Sequence, residues 1–191
     1  MEVRKKKVGV LALQGDFEAH EKALQRAGAE AVEVRSAHDL EGLDGLIIPG
    51  GESTTMLKLL EEEQLVAPLW EFAQTHPILG TCAGAILLAS AVSHPAQASL
   101  GLMDIDIERN AYGRQLDSRI ARLNLEGSGA GLEAVFIRAP IIRRVGENVK
   151  VLARYQNSPV LVEQGKHLVA TFHPELTRDP SVHLMFLDKI P

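Results

Sequence analysis

The stretch Pro77-Ile78-Leu79-Gly80-Thr81-Cys82-Ala83-Gly84-Ala85-Ile86-Leu87-Leu88-Ala89 contains the only cysteine of the chain. Its first three residues form a short apolar run that reads as a buried strand, and its last five read as a buried helix. Between them, Gly80-Thr81-Cys82-Ala83-Gly84 has the Gly-x-nucleophile-x-Gly pattern of a nucleophile elbow, with Cys in place of Ser. Such a turn lifts the apical side chain above the sheet edge, and its flanking glycines suit a bend too sharp for a Cβ. It also puts the thiol at a helix N-terminus, where the positive end of the dipole favours thiolate. Two readings stand at this point: Cys82 is a nucleophile, or it is a small buried hydrophobe, as most lone cysteines are.

Working outward, Val8-Gly9-Val10-Leu11-Ala12-Leu13 is a continuous apolar run, as expected of a central parallel strand covered on both faces. Asp16 is placed as a helix N-cap, Phe17, His20, Leu24 and Ala27 follow at helical spacing, and Gly28 closes that helix. Residues 31–34 and 46–48 read as the second and third strands, and residues 54–63 and 68–74 as helices. Strands alternating with helices predict a doubly wound, mostly parallel sheet. Beyond Ser90 the pattern changes. Residues 102–108 alternate with period two, and 120–125 do so more weakly. Residues 134–137, 150–155, 159–162 and 168–172 are further strand candidates. A turn at Gln164-Gly165 joins the last two as a hairpin, and residues 180–189 form a closing helix. The second half therefore adds antiparallel strands to a parallel first half.

Composition narrows the class. A chain of 191 residues, 46% hydrophobic, can bury a large core as one domain, and no linker, low-complexity tract or repeat divides it. The net charge of −5 argues against nucleic acid, since Arg4-Lys5-Lys6-Lys7 and Arg143-Arg144 are short clusters without aromatic interleaving. No apolar run approaches a membrane span, and the run after the basic N-terminus is too short for a signal peptide. One cysteine excludes an intrachain disulfide and fits a reducing cytoplasm.

A cysteine nucleophile needs a base and a group to orient that base. Phe172-His173-Pro174-Glu175 offers both: residues two apart on an extended segment share a face, so Glu175 can reach the His173 imidazole. Pro174 places the pair at a strand end or edge. Pro49-Gly50-Gly51-Glu52-Ser53 follows the third strand. It reads either as a loop into a helix capped by Ser53, or as an oxyanion hole in which the Gly51 N–H joins that of Ala83. No Gly-Lys-Ser/Thr follows, so it is not a Walker loop. In an open parallel sheet, ligands bind beyond the carboxyl ends of the strands, and there Gln14-Gly15, Gly50-Gly51 and Cys82 converge. Arg109 and Arg138, at strand ends, are surface charges or forks for a carboxylate. Asp104, Asp106 and Glu108 read as a solvated sheet face, and Glu61-Glu62-Glu63 as a solvated helix end. His20, His38, His76, His94, His167 and His183 show no metal-ligand spacing, and no metal site is expected.

Pro49-Gly50-Gly51-Glu52-Ser53-Thr54, Gly80-Thr81-Cys82-Ala83-Gly84 and Phe172-His173-Pro174-Glu175 together resemble the class I (triad) glutamine amidotransferases. Four further segments narrow the resemblance to a branch: Leu13-Gln14-Gly15, Glu108-Arg109-Asn110-Ala111-Tyr112-Gly113-Arg114-Gln115, Phe136-Ile137-Arg138-Ala139-Pro140 and His173-Pro174-Glu175-Leu176-Thr177. They look like the glutaminase subunits of pyridoxal 5'-phosphate synthase. The similarity runs from about Val8 to the last helix.

The resemblance implies a flavodoxin-like α/β fold, a single glutaminase domain over residues 1–191, and hydrolysis of L-glutamine to glutamate and ammonia without a cofactor. Cys82 would form a γ-glutamyl thioester, His173 would protonate the leaving ammonia and then activate water, and Glu175 would orient His173. Gly51, Glu52, Ser53, Arg109, Ile137 and Arg138 would hold the glutamine. The implied partner is the synthase subunit, which docks around the strand ends bearing Gln14, Gly51 and Cys82. A glutaminase idle in glutamine is wasteful, so the site is expected to be completed on docking, with Gly50-Gly51 as the switch.

Alternatives within the same chemistry are an amidotransferase subunit of another biosynthetic pathway and a γ-glutamyl hydrolase. A cysteine peptidase or chaperone of the related elbow type is disfavoured by Ala83, where those proteins carry His. A non-catalytic flavin-binding module would be coloured and inert toward glutamine.

Overall fold

The computed structural model describes residues 4–110 and 118–191; residues 111–115 of the arginine-asparagine motif lie outside them. Strand and helix alternate through the first half as the apolar periodicity predicts. The order is β1 (Lys7–Leu11), α1 (Phe17–Arg26), β2 (Glu30–Val34), β3 (Gly45–Ile48), α2 (Ser53–Glu62), α3 (Val66–Thr75), β4 (Ile78–Thr81) and α4 (Ala83–Leu88). Then follow β5 (Ala89–Ser93), β6 (Met103–Glu108), β7 (Arg119–Asn124), β8 (Gly131–Phe136), β9 (Ile141–Val145), β10 (Lys150–Tyr155), β11 (Ser158–Gln164), β12 (His167–Ala170) and α5 (Ser181–Asp188).

A seven-stranded sheet runs in the order β10-β11-β12-β4-β3-β1-β2. The pairs from β12 through β2 are parallel, while β10, β11 and β12 pair antiparallel. The fold is thus α/β with a mostly parallel sheet and antiparallel strands added by the second half, as expected.

The continuous apolar runs follow from a sheet covered on both faces. In β3, Leu46 and Ile48 face one core and Ile47 the other; β4 alternates likewise through Ile78 and Leu79. One core is closed by α2, α3, α4 and a small sheet of β5, β6 and β9, with Leu60, Leu69, Ile86 and Ile105 packed into it. The other is closed by α1, α5 and the β7–β8 hairpin, through Leu24, Phe186 and Leu132.

Several local expectations are corrected. Asp16 occupies the N-cap position of α1 but its side chain makes no cap bond. Ser53 is the first helical residue of α2; the cap is Glu52, whose carboxylate accepts from the Thr54 and Thr55 N–H groups. Gln164 pairs with His167, so the hairpin loop is Gly165-Lys166, one residue later than expected. Strands β5 and β9 were not expected. On β6, Met103, Ile105 and Ile107 are buried, while Asp104 and Asp106 pair with Arg144, and Glu108 with Arg143, across the strand pair. That face is exposed but ion-paired, and exposed pairs of this kind contribute little stability. No helix among the described residues is long and apolar enough to cross a membrane.

Because β1, β3, β4 and β12 run parallel, their carboxyl ends share one edge of the sheet. The chain leaves β1 toward β2, then crosses back to β3, so the loops after β1 and β3 diverge and open a crevice between them.

Candidate active site

At the elbow the strain lies on the cysteine. Cys82 has φ 49° and ψ −104°, a backbone conformation L-residues rarely adopt, and it caps α4. Such a residue costs on the order of 1–3 kcal/mol and persists only where its surroundings hold it. Here the Cys82 N–H donates to the Ala170 carbonyl at 2.9 Å, tying the elbow to β12. The glycines serve packing rather than the bend itself. A Cβ on Gly84 would lie 2.0 Å from the Ile48 carbonyl oxygen, and one on Gly80 would lie 2.4 Å from Leu88.

His173 follows β12 and is held by its N–H donating to the Val135 carbonyl at 2.8 Å. The chain does not stay extended as the two-residue spacing suggested. It enters a 3-10 turn, Pro174–Leu176, and that turn brings Glu175 back under the ring. The predicted contact forms nonetheless, with Nδ1 of His173 2.6 Å from Oε1 of Glu175. Both side chains are buried. Burial alone would lower the imidazole pKa, but hydrogen bonding and charge from Cys82, and then from Glu175, reverse this and raise it to about 10. With Nδ1 committed to Glu175, Nε2 is left for the sulfur.

This balance gives a titration test. A pKa raised above 6.5 means that the charged ring adds stability in full below pH 6.5, and that the gain is lost as pH rises through about 10. In Cys82→Ala the sulfur's contribution disappears while burial remains, so the His173 pKa should fall well below that of the wild type. Following the ring-proton NMR shift against pH reads this directly; an unchanged titration would show that Cys82 does not hold the proton.

Cys82 and His173 open onto a cavity of about 400 Å³ that is also lined by Gly51, Glu52, Ser53, Ala83, Arg109, Ile137 and Arg138. This volume lies toward the small end of ligand pockets, roughly 300–1,000 Å³, and suits one small metabolite. Every residue expected to form the triad, hold the oxyanion or bind glutamine lies on this wall except Glu175, which stands behind His173. Nη1 of Arg109 is buried without a hydrogen-bond partner among the described residues, the condition of a fork awaiting a carboxylate. Its Nη2 lies 3.4 Å from Oε1 of Glu52. The Ile137 carbonyl is 4.0 Å from the Cys82 sulfur, and Arg138 has φ 46°.

Glu52 and Ser53 are already engaged. The hydroxyls and N–H groups of Thr54 and Thr55 donate to the Glu52 carboxylate and hold its pKa down at about 2. The Ser53 hydroxyl donates to Oε1 of Gln97 at 2.8 Å. The Gly50-Gly51 loop is tied crosswise to the loop after β1. The Asp16 N–H donates to the Gly50 carbonyl at 3.1 Å, and the Glu52 N–H donates to Oε1 of Gln14 at 3.0 Å. Gly51, at φ 154°, has no room for a Cβ, which would lie 2.3 Å from that same Gln14 oxygen.

Asp16, His173 and Glu175 each bring one potential metal-ligand atom within 4.8 Å of the others. A metal would have to displace the Nδ1 proton that His173 shares with Glu175, from a ring whose basicity is already raised. The trio is therefore read as a protonic contact. Asp16 was missed as a site residue: its carboxylate lies on the cavity wall, 3.8 Å from Nδ1 of His173. Its place directly after Gln14-Gly15 was the available signal. Asn110 is a second missed wall residue.

Residues 10–191 match the SNO glutamine amidotransferase family. A protein of Solibacter usitatus named pyridoxal 5'-phosphate synthase subunit PdxT is 61% identical over 192 residues, covering 97% of this chain and 100% of that one. A Thermus thermophilus protein of the same name is 54% identical over 184 residues, covering 95% and 96%. A crystal structure of a glutamine amidotransferase superposes with a TM-score of 0.90 at 51% identity, over 96% of this chain and 98% of that one.

Proposed function

This chain belongs to the SNO glutamine amidotransferase family, and on that premise we propose that it is the glutaminase subunit of a pyridoxal 5'-phosphate synthase. It hydrolyses L-glutamine to glutamate and ammonia as one domain and passes the ammonia to a synthase subunit in a cytoplasmic complex. The observation that carries the chemistry is the Cys82 sulfur on the wall of the cavity, beside an imidazole fixed by Glu175 at 2.6 Å. The relatives named PdxT support the branch.

The steps follow from the site. Glutamine lies with its α-carboxylate on Arg109 and Arg138 and its ammonium toward the Ile137 carbonyl. Its amide carbon faces Cys82. The thiolate attacks, a C–S bond forms, and the oxyanion is held by the Gly51 and Ala83 N–H groups, each such donor being worth roughly 2.7–4 kcal/mol. The C–N bond breaks as His173 gives its proton to the departing nitrogen. Once sulfur is acylated its charge is gone, and with it the main support for the raised imidazole pKa. His173 then becomes the base that takes a proton from water, and collapse of the second tetrahedral intermediate releases glutamate and the thiolate. Acid and base are thus one residue, switched by the charge on its neighbour.

The experiment is to follow glutamate formation by the chain alone and with the synthase subunit. The rate should rise clearly on adding the partner, because the oxyanion site at Gly50-Gly51 is completed only on docking. A free chain already at full rate, indifferent to the synthase, would refute partner gating. Absence of glutamine hydrolysis under both conditions would refute the glutaminase reading itself.

A further inference from the structure

Glu175 places one oxygen on His173, while the other, Oε2, is buried without a well-aligned hydrogen bond among the described residues. The ring nitrogen facing Oε2 is Nε2 of His20 on α1, 3.4 Å away. That nitrogen also lies 3.0 Å from the Thr81 hydroxyl, next to the elbow. The other His20 nitrogen, Nδ1, is 2.9 Å from Nε2 of His183 on α5, 163 residues along the chain. Both histidines are buried, and Nδ1 of His183 has no partner among the described residues.

With both rings neutral, two tautomer arrangements place a proton between them. In the first, His183 donates from Nε2, and His20 carries its proton on Nε2, donating to the Thr81 hydroxyl on the side that faces Oε2 of Glu175. Left unpaired are then the buried Thr81 hydroxyl proton, which meets no acceptor among the described residues, and a lone pair on Nδ1 of His183. In the second, His20 donates from Nδ1. Its Nε2 lone pair then accepts from the Thr81 hydroxyl but also faces a carboxylate, and His183 is left with a buried N–H that no acceptor among the described residues meets. Each arrangement leaves one buried donor unmet, so the carboxylate decides: an N–H on Nε2 is attracted by Oε2 where a lone pair is repelled, and the first arrangement prevails. Burial keeps both rings neutral: it lowers His20 well below its usual range, aided by His183 and His173, and lowers His183 to about 4, aided by Arg26.

The geometry points to His20, seated on His183, as a positioning residue that fixes the plane of the Glu175 carboxylate through its second oxygen. This rests on the glutaminase reading, and it adds a third layer behind Cys82 and His173. A carboxylate bonded through one oxygen can rotate about that contact; an N–H facing the other oxygen opposes the rotation by electrostatic attraction and favours keeping Oε1 on His173. His20 is not on the cavity wall. Its loss should therefore reduce kcat and leave the KM for glutamine in place.

The test compares His20→Gln with His20→Asn in the full chain, assayed with the synthase subunit. The Gln amide reaches the position of Nε2 and can still donate toward Glu175. The Asn amide reaches only the position of Nδ1, keeping the contact to His183 and losing the one to Glu175. Asn should lower kcat about 10- to 100-fold, the range expected when a donor to a charged group is lost, while Gln recovers most of that loss at similar KM. Equal losses in the two variants, or a loss carried by KM, would overturn the proposal. Imidazole ¹⁵N NMR of the unsubstituted chain supplies a readout independent of activity and of any variant's folding. A proton on Nε2 of His20 is expected, and a proton on Nδ1 would overturn the assignment. If the unsubstituted chain fails to hydrolyse glutamine, the glutaminase reading falls, and the tautomer still decides the contact between His20 and Glu175.

Discussion

Cys82→Ala is expected to leave the chain folded and to abolish glutamate formation, with kcat falling on the order of 10⁴- to 10⁶-fold, the range seen when a triad member is removed. The fold should survive because alanine keeps the Cβ that already sits at φ 49°, so the elbow gains no strain. What is lost is a buried sulfur and its contact with His173, while the backbone bond from residue 82 to Ala170 remains. A glutamine-analogue electrophile should add once to the wild-type chain, on Cys82, as read by intact mass and peptide mapping. Labelling at another residue, or substantial turnover by the alanine variant, would end the assignment.

The second large effect separates roles within the triad. His173→Asn should cost nearly as much as Cys82→Ala, because both proton transfers pass through the imidazole. Glu175→Gln should be about two orders of magnitude milder, in line with the orienting member of other triads. Glu175 is not on the cavity wall; one oxygen holds Nδ1 of His173 and the other faces His20. Measured kcat values for the two variants, with the synthase present, decide the matter. A severe Glu175→Gln beside a mild His173→Asn would reverse the assignment.

What the sequence could reveal tracks how local each cause is. The elbow, the parallel strands and the β6 alternation were legible because each is written in a few adjacent residues. β5 was hidden because Ala89-Ser90-Ala91 carries no β-branched residue and continues the apolar run of α4. β9 was hidden because Arg143-Arg144 read as a charge cluster, whereas the arginines pair across to the acidic face of β6. The cap of α2 was misplaced because glutamate is not a usual N-cap residue; it serves here because two threonines offer both N–H and hydroxyl to one carboxylate. The contact between His173 and Glu175 was predicted correctly on the wrong backbone, since a strand spacing and a 3-10 turn can deliver the same pair. The helical spacing put His20 on the buried face of α1, but its pairing with His183 had no local signal, because only the packing of α1 against α5 brings the two together.

If the Gly50-Gly51 peptide is the proposed switch, the hydrogen bond from the Asp16 N–H to the Gly50 carbonyl sets a bound on how tightly the free chain can be held in check. For the Gly50-Gly51 peptide to turn, that carbonyl must let go of Asp16. One such bond is worth a net of about 0.5–1.5 kcal/mol, so breaking it shifts the peptide's populations by at most about tenfold. On that reading, a resting subunit governed by this contact alone would be leaky, with a slow background of glutamine loss. A docking partner would need to offer Asp16 or Gly50 only one better contact to reverse the balance. Activation far beyond tenfold would have to come from a different source, such as closure of the glutamine cavity around its substrate.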